Sequence, residues 1–178
     1  MLLDKLMQKT DKYNLSWSQR MMIITASALH DIGKVGIEEK IINKTEKLTE
    51  EESNEYGVDY SLVLAVIYNE SRFKSGLTHM NSNGTTDYGL MQVNEVNFKY
   101  LNKTLGITSM NQLLDDRVGI RCGVHLLAYH KNATGNDSAA LLRYQVGEGT
   151  YRKYVKSGKH TNDIPVSYTH LTLPTTSR

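Results

Sequence analysis

Cysteine is all but missing from this chain of 178 residues: Cys122 is the only one, so neither an internal disulfide nor a cysteine-built metal cluster can form. Proline is nearly as scarce. Its two copies, Pro165 and Pro174, stand near the end, which leaves the first 164 residues without the strongest helix breaker and predicts a mostly helical body. Long apolar runs are lacking too. The longest, Leu62 to Tyr68, is about a third of the ~20 residues that a membrane-spanning helix needs, so no span is expected. Neither sign of charge dominates: 21 basic against 19 acidic residues give a net charge of +2, too small for the basic field of a nucleic-acid binder, and no nucleic-acid partner is expected. The opening residues, Met1-Leu2-Leu3-Asp4-Lys5, place an acid among the apolar positions with no long apolar stretch behind it, unlike a secretory signal.

What is present suits a folded enzyme-sized domain. With 39% hydrophobic and 22% charged residues the chain can bury one sizeable core, and its length allows one ordinary domain plus a fragment. No internal repeat suggests a solenoid. Three segments differ in character: residues 1–53, residues 54–165, and residues 166–178. The last is rich in Thr and Ser with no helical or strand period, is expected to be an unpacked tail, and resembles the read-through found at the ends of unrelated reading frames.

Helix starts are readable in the middle segment. Asp59 is an N-cap flanked by Val58 and Val63 at hydrophobic-staple positions, and its helix is expected to run to about Arg72. Asn94, with Val93 and Phe98 as its staple, and Ser109, with Gln112 at capping-box spacing, predict two more helices. A fourth follows Asp116, with Ile120, Val124, Leu127 and Ala128 on one face and Gly119 and Gly123 permitting a close neighbour. A fifth begins near Asp137 and carries Tyr144. Gly147 and Gly149 then break the chain before a short helix with Tyr151, Tyr154 and Val155 along one side. Between residues 75 and 92 the pattern changes, and Asn83-Gly84 signals a turn in a loop or small β-ribbon.

Glu70 stands out by its spacing. Ile67, Val66 and Val63 precede it by three, four and seven residues, positions that share one helix face, so the acid points where the apolar residues point. Burial there disfavours the ionised carboxylate and raises its pKa, which is how a glutamate stays protonated near neutral pH to act as a general acid. Spacing alone leaves a plainer alternative open, a carboxylate at a helix end paired with Arg72, Lys74 or a backbone amide.

Three ordered motifs bear on the choice. Glu70-Ser71-Arg72-Phe73 comes first; Tyr88-Gly89-Leu90-Met91-Gln92-Val93 follows the Gly84 loop; Ala140 to Gly149 contains Tyr144. Over residues 54–157 this resembles the lytic transglycosylase family of the soluble type, with its lysozyme-like fold. The resemblance implies a mainly α, lysozyme-like α+β domain in which Glu70 is acid and then base. It also implies that Ser71 helps to orient the site, that Met91 and Gln92 line the groove holding the sugar chain, and that the Tyr144 hydroxyl positions or tunes Glu70. Without the motifs, Met91 reads as core filling and Tyr144 as packing against Ala140 and Leu141. The family's usual Ala-Tyr-Asn stands here as Arg143-Tyr144-Gln145, and Gly119 takes the place of an Asn often found there.

The implied reaction breaks the β-1,4 bond between N-acetylmuramic acid and N-acetylglucosamine in peptidoglycan and leaves a 1,6-anhydromuramic end, without metal or organic cofactor. Most glycosidases use two carboxylates. The nearest second candidate is Asp87, whose plainer job is a turn or capping residue. If Glu70 acts alone, the sugar's own 6-hydroxyl can serve as the internal nucleophile. If Asp87 helps and water accepts the sugar, the chain is a lysozyme-type hydrolase. A non-catalytic glycan-binding module would keep the groove and lose the acid. Peptidoglycan glycan strands are thus the implied partner, the cell envelope or the cell exterior is the implied place of action, and a monomer is expected. Arg152, Lys153, Lys156 and Lys159 read as cations suiting the last helix's dipole, with a wall-polymer patch as the alternative.

The first segment carries a different signature. His30-Asp31-Ile32-Gly33-Lys34-Val35-Gly36-Ile37, followed by Lys40, Ile41, Asn43-Lys44 and Lys47-Leu48-Thr49, resembles part of a phosphohydrolase domain of the HD-GYP group. In that family the adjacent His and Asp bind a metal together with residues of further helices, which this chain has no length to hold. His79, His125 and His130 belong to the transglycosylase-like segment. The first segment is therefore expected to be a truncated helical fragment without a metal site, its Met21, Met22, Ile23 and Ile24 in need of cover.

Overall fold

The computed structural model describes residues 39–157: helices dominate, and one small antiparallel sheet interrupts them, the α+β class expected from the sequence. The His30 to Ile37 signature, the Met21 to Ile24 cluster and the tail 166–178 lie outside the described residues. Contacts divide the chain into a unit that ends at His125 and one that starts at Leu126.

Among the described residues of the first unit, α1 (Glu39–Tyr56) comes first and packs against α2 (Tyr60–Ser71). Thr45, Leu48, Thr49, Glu52 and Ser53 recur every three or four residues, share one face of α1 and are buried. The helix passes without a break through the division expected between residues 53 and 54. Burial, and then the nearby Glu55, hold the Glu52 carboxyl above its ordinary pKa. Asp59 caps α2 as expected, its Oδ1 accepting from the Leu62 amide at 2.9 Å. All six residues from Leu62 to Ile67 are buried, so α2 is covered around its circumference and not along one face alone.

After α2 the chain forms a ribbon of β1 (Thr78–Met80), β2 (Thr86–Tyr88) and β3 (Val93–Asn94), antiparallel and in that spatial order. The Asn83-Gly84 turn lies where the sequence put it. Gly84 adopts φ +83°, its amide donates to Asn81 O at 2.9 Å, and Asn83 Oδ1 accepts from the Thr85 amide at 3.0 Å.

Asn94 and Ser109 both cap, but what they cap differs from expectation. Asn94 Oδ1 accepts from the Val96 amide at 3.0 Å and heads a 3₁₀ turn, Glu95–Asn97, from which α3 (Phe98–Leu105) continues. Ser109 and Gln112 form the complete capping box, yet it heads a 3₁₀ helix, Met110–Leu114. Next comes α4 (Asp116–Thr134), with Ile120, Val124, Leu127 and Ala128 all buried. Its glycines serve close approach: a Cβ on Gly119 would stand 2.5 Å from Leu113 O, and one on Gly123 2.7 Å from Met91 Cβ. Cys122 is fully buried on the same helix, and burial pushes its thiol pKa up to about 12.

In the second unit α5 (Asp137–Lys156) starts at Asn136, whose Oδ1 accepts from the Ala139 amide at 2.7 Å, and Lys131 pairs with Asp137 at 3.0 Å. Gly147, at φ +74° and ψ 160°, bends the helix in a conformation almost confined to glycine, whereas Gly149 stays helical and breaks nothing. The buried Arg143 pairs with Glu148 and lies 5.3 Å from the Tyr129 ring centre and 5.9 Å from that of Tyr151. Val155 is 57% exposed, so of the side expected to be lined by Tyr151, Tyr154 and Val155 only the tyrosines are half-buried.

Candidate active site

The apolar helix that buries Leu62 to Ile67 ends at the acid. Glu70 is half-buried, directly after Val63, Val66 and Ile67 on its own face, so its carboxyl keeps some surface while losing much of its water. That loss of water, and next the negative charge of Asp87, push its pKa up to about 7, against a hydrogen bond with Asn69 that pulls it back. Neither Arg72 nor Lys74 figures among the influences on this carboxyl. Among the described residues no ion pair joins Glu70 to Arg72 or Lys74.

Asp87 sits at the centre of β2, opposite His79 of β1 and Asn94 of β3, so these three side chains share one face of the ribbon. Each of its carboxylate oxygens accepts an amide hydrogen bond: Oδ2 from Asn81 Nδ2 at 2.8 Å and Oδ1 from Asn94 Nδ2 at 2.7 Å. Its charge is thereby fixed in place and felt at Glu70. Sequence reasoning missed this bracket, whose two amides come from residues six before and seven after Asp87. The register that pairs His79 with Asp87 is set by a three-residue loop, Ser82-Asn83-Gly84, closed by the Asn81 amide on Thr85 O; a two-residue Asn83-Gly84 turn would have put Met80 opposite Asp87.

The other expected site residues are each held by contacts near their own element. Ser71 is buried, and its hydroxyl donates to Ile67 O at 3.0 Å, closing the last turn of α2. Gln92 holds the preceding loop with its side chain: Nε2 donates to Gly89 O at 2.7 Å and to Leu77 O at 3.2 Å. Met91 is fully enclosed and packs against the backbone at Gly123, the place of a core residue and not of an exposed one. Tyr144 belongs to the second unit, half-buried and edge-on to His130 at 6.3 Å between ring centres. Burial, and then Arg143, push His130 down to about 4.

Backbone strain gathers at the same motifs. Among the described residues the non-glycine positions with positive φ are Arg72 (54°), Phe73 (59°) and Gln92 (45°), two directly after Glu70-Ser71 and one closing Gly89-Leu90-Met91-Gln92. Gly89 itself needs φ +74°, and a Cβ there would collide with Leu113 O. His125 lies between the rings of Tyr56 and Tyr100, at 5.2 and 5.6 Å, while His79 is exposed on β1. Among the described residues no three His, Cys, Asp or Glu side chains are grouped to hold a metal ion.

A family model described as the Transglycosylase SLT domain matches residues 47–166. Invasion protein IagB of Salmonella typhimurium is 29% identical over 101 residues, covering 57% of this chain and 62% of that protein. Protein IpgF of Shigella flexneri is 27% identical over 109 residues, covering 61% of this chain and 70% of its own length. The chain thus spans less than two thirds of the length of IagB. No helix among the described residues is long and apolar enough to cross a membrane.

Proposed function

Because this chain belongs to the transglycosylase SLT domain family, we propose that it cleaves peptidoglycan glycan strands by lytic-transglycosylase chemistry, with Glu70 as the single acid and base. The observation that carries the reading is the carboxyl of Glu70, half-buried at the end of an apolar helix and pushed up to about 7. Protonated there, it gives its proton to the oxygen of the β-1,4 bond between N-acetylmuramic acid and N-acetylglucosamine, and the N-acetylglucosamine leaves as a 4-hydroxyl. The muramic acid's own 6-hydroxyl then attacks its C1. Glu70, now a carboxylate, takes the hydroxyl proton and is restored, and a 1,6-anhydromuramic end remains. Ser71 and Gln92 act from behind, the one closing the helix end and the other bracing the Gly89 loop. No cofactor enters this chemistry. The place of action is then the cell envelope or the cell exterior.

A second reading is favoured by Asp87. A carboxylate fixed by two amide donors, with its charge felt at a carboxyl held neutral, is a pair with divergent environments, as a two-carboxylate hydrolase requires. In that case water accepts the sugar and a reducing end forms. Mass spectrometry of digested peptidoglycan separates the two: anhydro ends support the transglycosylase, and reducing ends alone remove it. Glu70→Gln should lower turnover by roughly 100-fold or more on either reading. Asp87→Asn should cost as much only for the hydrolase. Turnover surviving in Glu70→Gln would end both.

A further inference from the structure

Arg72 follows the acid by two residues and is held in an unusual way. Its φ is 54°, a left-handed conformation costly for a residue with a Cβ, and its guanidinium carbon lies 4.3 Å from the centre of the Tyr68 ring. Stacking on that ring fixes the planar fork. One of its nitrogens, Nη1, is buried and has no hydrogen-bond partner, and no carboxylate among the described residues forms an ion pair with it. Nor does its charge act on Glu70, whose carboxyl answers to burial, Asp87 and Asn69. A buried donor without an acceptor is costly, and more so on a charged group. Lys74, two residues further, is by contrast exposed.

We infer that Arg72 is a specificity residue which receives a carboxylate of the substrate's stem peptide at the end of the helix that carries Glu70, an inference that rests on the peptidoglycan reading above. A guanidinium offers a carboxylate two parallel N–H donors, and one pre-stacked on an aromatic ring gives up little side-chain freedom on binding. Peptidoglycan supplies the partner, because its stem peptides carry free carboxylates along an otherwise neutral sugar backbone. Uncharged glycans of the same linkage lack it.

The test compares kcat/KM on intact sacculi with that on sacculi whose carboxylates have been capped as methylamides. Arg72→Gln should lose about tenfold or more on intact sacculi, mainly through KM, and less than about twofold on capped ones. Capping should cost the wild type a similar factor, and Lys74→Gln, an exposed cation removed, should change neither substrate by more than about twofold. Arg72→Lys, which keeps the charge and loses the fork, should fall between. Equal loss on both substrates would make Arg72 a structural residue and overturn the inference, as would no loss on intact sacculi. Activity on capped sacculi serves as the check that the variant is folded. A wild-type chain that cleaves neither substrate overturns the peptidoglycan reading first, and this inference with it.

Discussion

At the scale of single residues, Glu70 links chemistry to stability. Its folded pKa lies above the ordinary value of 4.5, at about 7, so the folded state favours the protonated form. The sign follows: the stabilisation is complete below the unfolded pKa and is lost as pH rises through about 7. Glu70→Gln, which mimics the neutral acid, should leave acidic-side stability nearly unchanged and raise it above pH 7, by up to about 3 kcal/mol. Urea unfolding from pH 5 to pH 9 reads this directly. A variant whose pH dependence matches the wild type would mean that the carboxyl titrates as an exposed one. Removing the Asp87 charge should bring the wild type's transition to lower pH, since that charge is the second cause of the shift.

At the scale of elements, two glycines separate conformation from contact. Gly84 and Gly89 both adopt positive φ, but open space surrounds Gly84, whereas a Cβ on Gly89 meets Leu113 O. Gly84→Ala should cost about 1 kcal/mol, from the left-handed backbone alone. Gly89→Ala should cost roughly 2 kcal/mol or more and, by displacing the Gln92 bracket, lower activity beyond what stability explains. Denaturant unfolding of the pair, beside sacculus digestion, makes the comparison. Much of this was legible because caps and turns are local: Asp59, Asn94, Ser109 and Asn83-Gly84 each act on amides within three residues. Helix type was not, since a capping box heads a 3₁₀ helix as readily as an α-helix when only five residues follow. Nor was the amide bracket on Asp87, whose partners meet it only across strands. Glu70 was visible because its apolar neighbours lie on its own helix; Arg72 was read only as a possible partner for that acid, and its stacking on Tyr68 became visible only in the fold.

At the scale of the whole chain, α1 runs across the division expected between residues 53 and 54. Its stretch from Lys44 to Glu52 is mostly polar, yet Thr45, Leu48, Thr49, Glu52 and Ser53 are buried, and α1 packs against α2, the helix that carries Glu70. Small hydroxyl residues fit a close helix contact without adding to an apolar count. A chain that starts at residue 54 should therefore melt about 10 °C or more below one that starts at residue 39, since several kcal/mol of packing go with α1. Equal melting temperatures in a thermal scan would show that the segment from residue 54 onward needs nothing before it. The lone thiol offers a way to watch such openings. With Cys122 enclosed and its proton held far above neutral pH, a maleimide added to native protein finds no nucleophile. Alkylation must wait until α4 parts from its surroundings, so the chain carries its own clock, one mass increment per molecule, struck only when the interior is breached.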